Sequence, residues 1–98
     1  MWILQSVPDP DGDTFTFRLE AGTIKTMGRA PRAEFVVDAP LVSRLHCRLT
    51  AGDDKLEVQD LSSTNGTYVN GKRVTRAQVA NGDRLRIGRI ELKVEKQV

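Results

Sequence analysis

The sequence predicts an all-β domain, a sandwich or a small barrel, and three observations carry that prediction. Apolar residues recur at every second position in segment after segment, the pattern of antiparallel strands with one buried and one solvated face. Dipeptides that supply the positive φ of tight turns (Asp11-Gly12, Asn65-Gly66, Asn70-Gly71, Asn81-Gly82) interrupt those segments. No window of a dozen residues shows the 3, 4, 7 spacing of an amphipathic helix; TRAQVA, Thr75 to Ala80, comes nearest and is too short.

Taken in order, the elements justify themselves. Phe15, Phe17 and Leu19 alternate with Thr14, Thr16 and Arg18, and Ala21-Gly22 reverses the chain after them. In HCRLTA, Cys47 and Leu49 point one way, while His46, Arg48 and Thr50 point the other. Gly52-Asp53 marks the next reversal, and Leu56 and Val58 alternate within KLEVQD. TYV and KRV flank Asn70-Gly71 and read as a two-residue hairpin. Leu85 and Ile87 alternate in RLRIG, and Ile90, Leu92 and Val94 alternate with Glu91, Lys93 and Glu95. Three stretches resist a strand reading: GRAPRAE (28–34), DAPLVSR (38–44) and the polar DLSSTNG (60–66). Loops held on a rigid sandwich are where function concentrates, so these three hold the candidate residues.

Composition bounds the rest. The chain has 98 residues, enough for one domain, here 1–98 with a core over about 2–95, and compatible with a segment of a longer protein. Fifteen Lys+Arg against 13 Asp+Glu leave a net charge of +2, too little to specify an acidic partner despite a pI near 9.0. No apolar run approaches the ~18 residues of a membrane span, and MWILQSVPDPDGD lacks the basic flank and apolar stretch of a signal peptide. A single cysteine, Cys47, excludes an internal disulfide framework and a multi-cysteine zinc site. By alternation it faces the core, where a thiol is inert. A cytoplasmic setting is expected, or a nuclear one if the chain is eukaryotic.

The loops offer guanidinium forks, hydroxyls, one amide side chain and glycine-freed backbone, with no carboxylate pair and no second histidine. That set suits recognition of a phosphate better than bond-breaking, because an arginine fork matches phosphate oxygens and hydroxyl and amide groups complete the tetrahedron. Gly28-Arg29, Ser43-x-x-His46, the run Asp60 to Thr67, Val69-Asn70-Gly71, Gly82-Asp83 and Ile87-Gly88 follow one another in an order that resembles the forkhead-associated (FHA) domain. The resemblance implies a sandwich of about eleven short strands with the ligand loops at one end. It also implies a non-enzymatic signalling module that binds phosphothreonine in partner proteins, written by an upstream Ser/Thr kinase. Position by position, it gives Arg29 and Ser43 to the phosphate oxygens, Arg44 to phosphate or peptide main chain, Thr64 to the pocket floor and Asn65 to the peptide backbone. His46 is expected to brace the loops, and Gly28 and Gly66 to be architectural. Arg32, Arg73 and Arg76 either border the site or, the better reading for each, belong to a solvated face. No cofactor or metal is implied, nor contact with nucleic acid or membrane, and the domain is expected to be a monomer.

Rival readings are weaker on their chemistry. Asp9, Asp11 and Asp13 with Glu20 mimic the spacing of an EF-hand, but Thr14 stands where its glycine belongs and the flanks read as strands. A hydrolytic Ser43/His46 pair has no third residue to orient the imidazole. Nucleic-acid binding suits the arginines, yet they are interspersed with acids and aromatics make up only 5% of the chain, too few for stacking platforms. A phospho-independent interaction through a sheet face or edge is the nearer alternative.

Overall fold

Alternation becomes eleven strands in a computed structural model that describes residues 1–8 and 14–97. The strands are β1 (Trp2–Ser6), β2 (Thr16–Leu19), β3 (Ile24–Gly28), β4 (Phe35–Val36), β5 (Cys47–Ala51), β6 (Leu56–Asp60), β7 (Thr67–Val69), β8 (Lys72–Val74), β9 (Arg76–Val79), β10 (Arg84–Ile87) and β11 (Ile90–Lys96). They form a six-stranded sheet in the order β2-β1-β11-β10-β7-β8 and a five-stranded sheet in the order β4-β3-β5-β6-β9. Among the described residues there is no helix, and hence none long and apolar enough to cross a membrane. The all-β sandwich expected from the sequence is the one observed. The Asp11-Gly12 turn and the Asp9, Asp11 and Asp13 row lie outside the described residues.

The inward faces of both sheets make one core, as alternation requires. Trp2, Leu4, Leu85, Ile87, Leu92 and Val94 come from one sheet and Met27, Cys47, Leu49, Leu56, Val58 and Val79 from the other, all essentially without exposure. Burial pushes the Cys47 thiol up to about 12, with Asp60 adding to the effect, so it stays protonated and unreactive. TRAQVA, the segment closest to a helical pattern, is β9. Its Ala77 and Val79 sit opposite Val58 and Leu56 of β6, so pairing with a long neighbour decides its conformation. The Asn70-Gly71 hairpin is present, with φ of 50° and 83° at its two central residues.

Three expectations need correction. Strand pairing is antiparallel except between β3 and β4, which run parallel because the 29–34 loop carries the chain across before β4 forms. Phe15 and Phe17 are half-buried, since they lie on and just before β2, an edge strand, where Phe15 stacks on Phe17 and Phe17 on Phe35. His46 does not point outward as the alternation of HCRLTA implies. It precedes β5, outside the pleat, and is completely buried.

What positions the candidate residues is the end of the sandwich where β3, β4 and β6 finish and β5 and β7 begin. The 29–34, 37–46 and 61–66 segments all leave or enter strands there. Val37 and Val42 are buried under them and close the core at that end.

Candidate functional site

The site begins with Gly28. A Cβ on this residue would stand 2.1 Å from the Arg44 carbonyl oxygen, so only glycine lets β3 run so close to the 43–46 segment. The approach lets the ladder continue past the strand. Arg29 N–H donates to the Ser43 carbonyl at 2.9 Å, and Ala30 N–H donates to the Arg44 carbonyl at 3.0 Å. Arg29 and Ser43 are thereby fixed side by side. The Arg29 Nε–H donates to the Val42 carbonyl at 3.1 Å, which aims the fork and leaves its four terminal N–H groups for a ligand.

The 61–66 segment is built on Asp60. One carboxylate oxygen accepts from the hydroxyls of Ser63 at 2.5 Å and Thr67 at 2.7 Å, and the other accepts from the Ser63 N–H at 3.1 Å. The Ser63 hydroxyl oxygen in turn accepts from the Gly66 N–H at 2.9 Å, closing a turn that Gly66 permits with a φ of 89°. Burial acts to raise the Asp60 pKa, but hydrogen bonds from Ser63 and Thr67, with nearby His46, hold it net below the ordinary carboxylate value. A folded-state value below the unfolded one means that Asp60 stabilises the fold above pH 3.8 and loses that contribution as pH falls through its folded value. Urea unfolding followed from pH 7 down to pH 2.5 should therefore show an acid loss of stability that Asp60→Asn flattens. Identical pH profiles in the two proteins would remove Asp60 from this role.

His46 ties the two loop systems together. Its Nδ1 accepts from the Ser43 N–H at 3.1 Å, and its Nε2 lies 2.8 Å from the Gly66 carbonyl oxygen. An acceptor at Nδ1 and a carbonyl facing Nε2 require the neutral tautomer protonated on Nε2. Both ring nitrogens are thus spent on backbone, and neither can take a proton from Ser43. The Ser43 hydroxyl oxygen instead accepts from the Thr64 N–H at 3.0 Å, which leaves its own proton free to donate. Asn65 Nδ2 donates to the Leu41 carbonyl at 3.0 Å, keeping one N–H and the amide oxygen available.

Arg29, Ser43, Thr64 and Asn65 accordingly line one cavity of about 580 Å³, together with the 38–42 segment. Arg44, the remaining expected ligand residue, lines a neighbouring cavity that shares Arg29 with the first. Gly28, His46 and Gly66 do not line the first cavity; they contact its lining segments, Gly28 through its close approach to Arg44, His46 through its bond to the Ser43 N–H, and Gly66 through its bonds to His46 and Ser63. Sequence reasoning missed Asp38, the acidic member of the lining, and Leu41, which adopts a φ of 70°. The Asp60–Ser63 spacing is a legible side-chain-to-backbone turn signal. Nothing in the side chain of Leu41 announces its conformation. Among the described residues no group of three or more His, Cys, Asp or Glu is placed to hold a metal ion.

Comparison with known proteins bears on the same region. The family model for the FHA domain matches residues 25–88, which span all three loops. The glycogen accumulation regulator GarA of Mycobacterium tuberculosis is 39% identical over 69 residues, covering 70% of this chain and 43% of its own length. The oxoglutarate dehydrogenase inhibitor of Corynebacterium jeikeium is 38% identical over 65 residues, 66% of this chain and 45% of its own. The chain thus spans less than half the length of these curated relatives. The solved FHA domain of FhaA, complexed with the intracellular domain of Rv3910, superposes with a TM-score of 0.83 at 35% identity over 97% of this chain and 100% of that one. The FHA domain of the CT664 protein from Chlamydia trachomatis gives a TM-score of 0.89 over 99% and 98% of the two chains, at 21% identity, a likeness of fold alone.

Proposed function

The chain belongs to the FHA domain family, and from that premise we propose that it is a non-enzymatic module that docks onto phosphothreonine-containing segments of partner proteins. The observation that carries this reading is the convergence of Arg29, Ser43, Thr64 and Asn65, from three separate loops, on one cavity. Arg29 grips the phosphate oxygens with its fork, and Ser43 donates the hydroxyl proton that the Thr64 bond leaves free. Asn65 pairs with the peptide main chain through its remaining N–H and oxygen. A solved relative bearing on phosphothreonine-dependent FHA domain interactions, 34% identical over 99% of this chain and 97% of its own, supports the choice of phosphoamino acid.

Magnitudes agree with a reversible switch. Three charge-assisted hydrogen bonds contribute roughly 1.5–3 kcal/mol each, about 4.5–9 kcal/mol before the costs of association, so these bonds alone hold a segment no more tightly than about micromolar. Phosphorylation supplies about −1.5 to −2 charges and three acceptor oxygens at once, so the unmodified segment leaves Arg29 and Ser43 without partners. A Ser/Thr kinase writes the mark, and the module reads it as a cytoplasmic monomer without help from nucleic acid or membrane.

Titration against degenerate peptide pools centred on phosphothreonine, phosphoserine or plain threonine tests the reading. Binding should favour phosphothreonine over phosphoserine by roughly 10-fold or more, the worth of one methyl group in a fitted pocket, and plain threonine should not bind. Equal binding of plain and phosphorylated threonine would mean that the domain engages partners without the phosphate.

A further inference from the structure

The second cavity, of about 530 Å³, is lined by Arg29, Ala30, Pro31, Arg32 and Arg44. Three of these five residues carry a guanidinium, and none of the three forms an ion pair with an acidic side chain among the described residues. The nearby carboxylate of Glu34 is engaged elsewhere, 3.4 Å from Lys25 Nζ and 3.2 Å from the Thr26 N–H. The loop geometry holds the cluster together. A turn closed by Ala33 N–H on the Ala30 carbonyl at 3.0 Å presents Pro31 and Arg32, and the Ala30 bond to the Arg44 carbonyl sets Arg44 beside them. Three exposed like charges around one concavity are a concentration of unmet positive charge, which attracts anions.

We infer that this cavity takes a second anionic side chain, phosphoryl or carboxylate, from the same bound segment. The inference rests on the first cavity being the phosphothreonine seat. Arg29 is the shared wall, and with Nε–H spent on Val42 its terminal N–H groups can face oxygens on both sides. One guanidinium bonded to two anions at roughly 2.8 Å each keeps them within one or two residues of one another along an extended strand at ~3.3–3.6 Å per residue. Arg32 and Arg44 then hold the second anion, whereas a singly charged segment leaves both facing solvent. A phosphoryl group, with more charge and one more oxygen than a carboxylate, fits three guanidinium groups better.

Titration of the intact chain at near-physiological salt decides the matter. The peptides carry one phosphothreonine followed by alanine, two adjacent phosphothreonines, two separated by one residue, or glutamate in place of the second phosphothreonine. At one spacing the second phosphothreonine should tighten binding at least about tenfold, and glutamate should give a smaller gain. Arg32→Ala should abolish the gain while leaving the singly phosphorylated affinity unchanged. Arg18→Ala, which removes an exposed cation on the β2 edge, should leave the gain in place. A glutamate gain equal to that of phosphothreonine, and lost in Arg32→Ala, supports the site and identifies carboxylate as its ligand. A gain no larger than the roughly twofold statistical factor of two equivalent groups, or one that Arg18→Ala erodes as much as Arg32→Ala, overturns the inference. Failure of the singly phosphorylated peptide to bind the unaltered chain overturns the underlying reading of the first cavity instead, and this one with it.

Discussion

Arg29→Ala is expected to weaken binding of the phosphothreonine pool by about 100-fold or more while the domain stays folded. The side chain is exposed, and its one bond to the described residues runs from Nε to the Val42 carbonyl. The bonds that shape the backbone at this point, from the Arg29 and Ala30 N–H groups, survive the substitution. What disappears is the ligand-facing fork. Two charge-assisted hydrogen bonds contribute together about 3 kcal/mol or more, which is at least about two powers of ten in affinity. Arg29→Lys sharpens the test, because lysine keeps the charge but loses the planar pair of donors and the bond to Val42. A loss in Lys close to that in Ala identifies fork geometry as the source of affinity; near-full recovery identifies charge alone. Peptide titration with a thermal melt on each variant measures both quantities, and unchanged affinity in Arg29→Ala would take the phosphate off this residue.

How much of this was legible in the sequence depends on the kind of interaction involved. Strands with one wet face announce themselves through a period of two, and asparagine-glycine pairs announce turns, so the sandwich and its hairpins could be read directly. The candidate residues were named because Gly28-Arg29, Ser43-x-x-His46 and the Asp60–Gly66 run follow one another in the order that resembles the FHA domain. His46 shows where that reading stops. Alternation in HCRLTA places it outward, but the pleat begins only at Cys47, and a residue before the pleat follows the loop that carries it. Arg44 shows a second limit. Adjacent to Ser43 in sequence, it borders a second cavity that shares Arg29 with the first, beside Ala30, whose N–H donates to the Arg44 carbonyl. Which cavity a side chain borders depends on contacts between distant segments, and no local pattern encodes it. Asp38 was missed for the same reason: it reaches the cavity only through the fold of the 38–44 loop.

His46 carries the second large effect, and its two hydrogen bonds can be separated. His46→Ala leaves the Ser43 N–H and the Gly66 carbonyl without partners and opens a void under the loops. Each stranded buried group costs about 1–3 kcal/mol, and the lost packing adds to this, so a total of about 3–5 kcal/mol is expected against a typical domain stability of ~5–15 kcal/mol. Urea unfolding should register most of that loss. Asparagine presents an oxygen from the same carbon that bears Nδ1, so His46→Asn can keep the Ser43 bond while losing the one to Gly66. Glutamine reaches one atom further, so His46→Gln can keep the Gly66 bond and lose the one to Ser43. Ser43 is a phosphate ligand in the proposed reading, whereas the Gly66 carbonyl only anchors the 61–66 turn that Asp60 and Ser63 also hold. Phosphopeptide affinity should therefore survive better in Asn than in Gln, even if both variants lose similar stability. A histidine that merely filled space would give the same affinity in both. One that acted as a proton acceptor for Ser43 would need a free ring nitrogen, and both are already committed to the backbone.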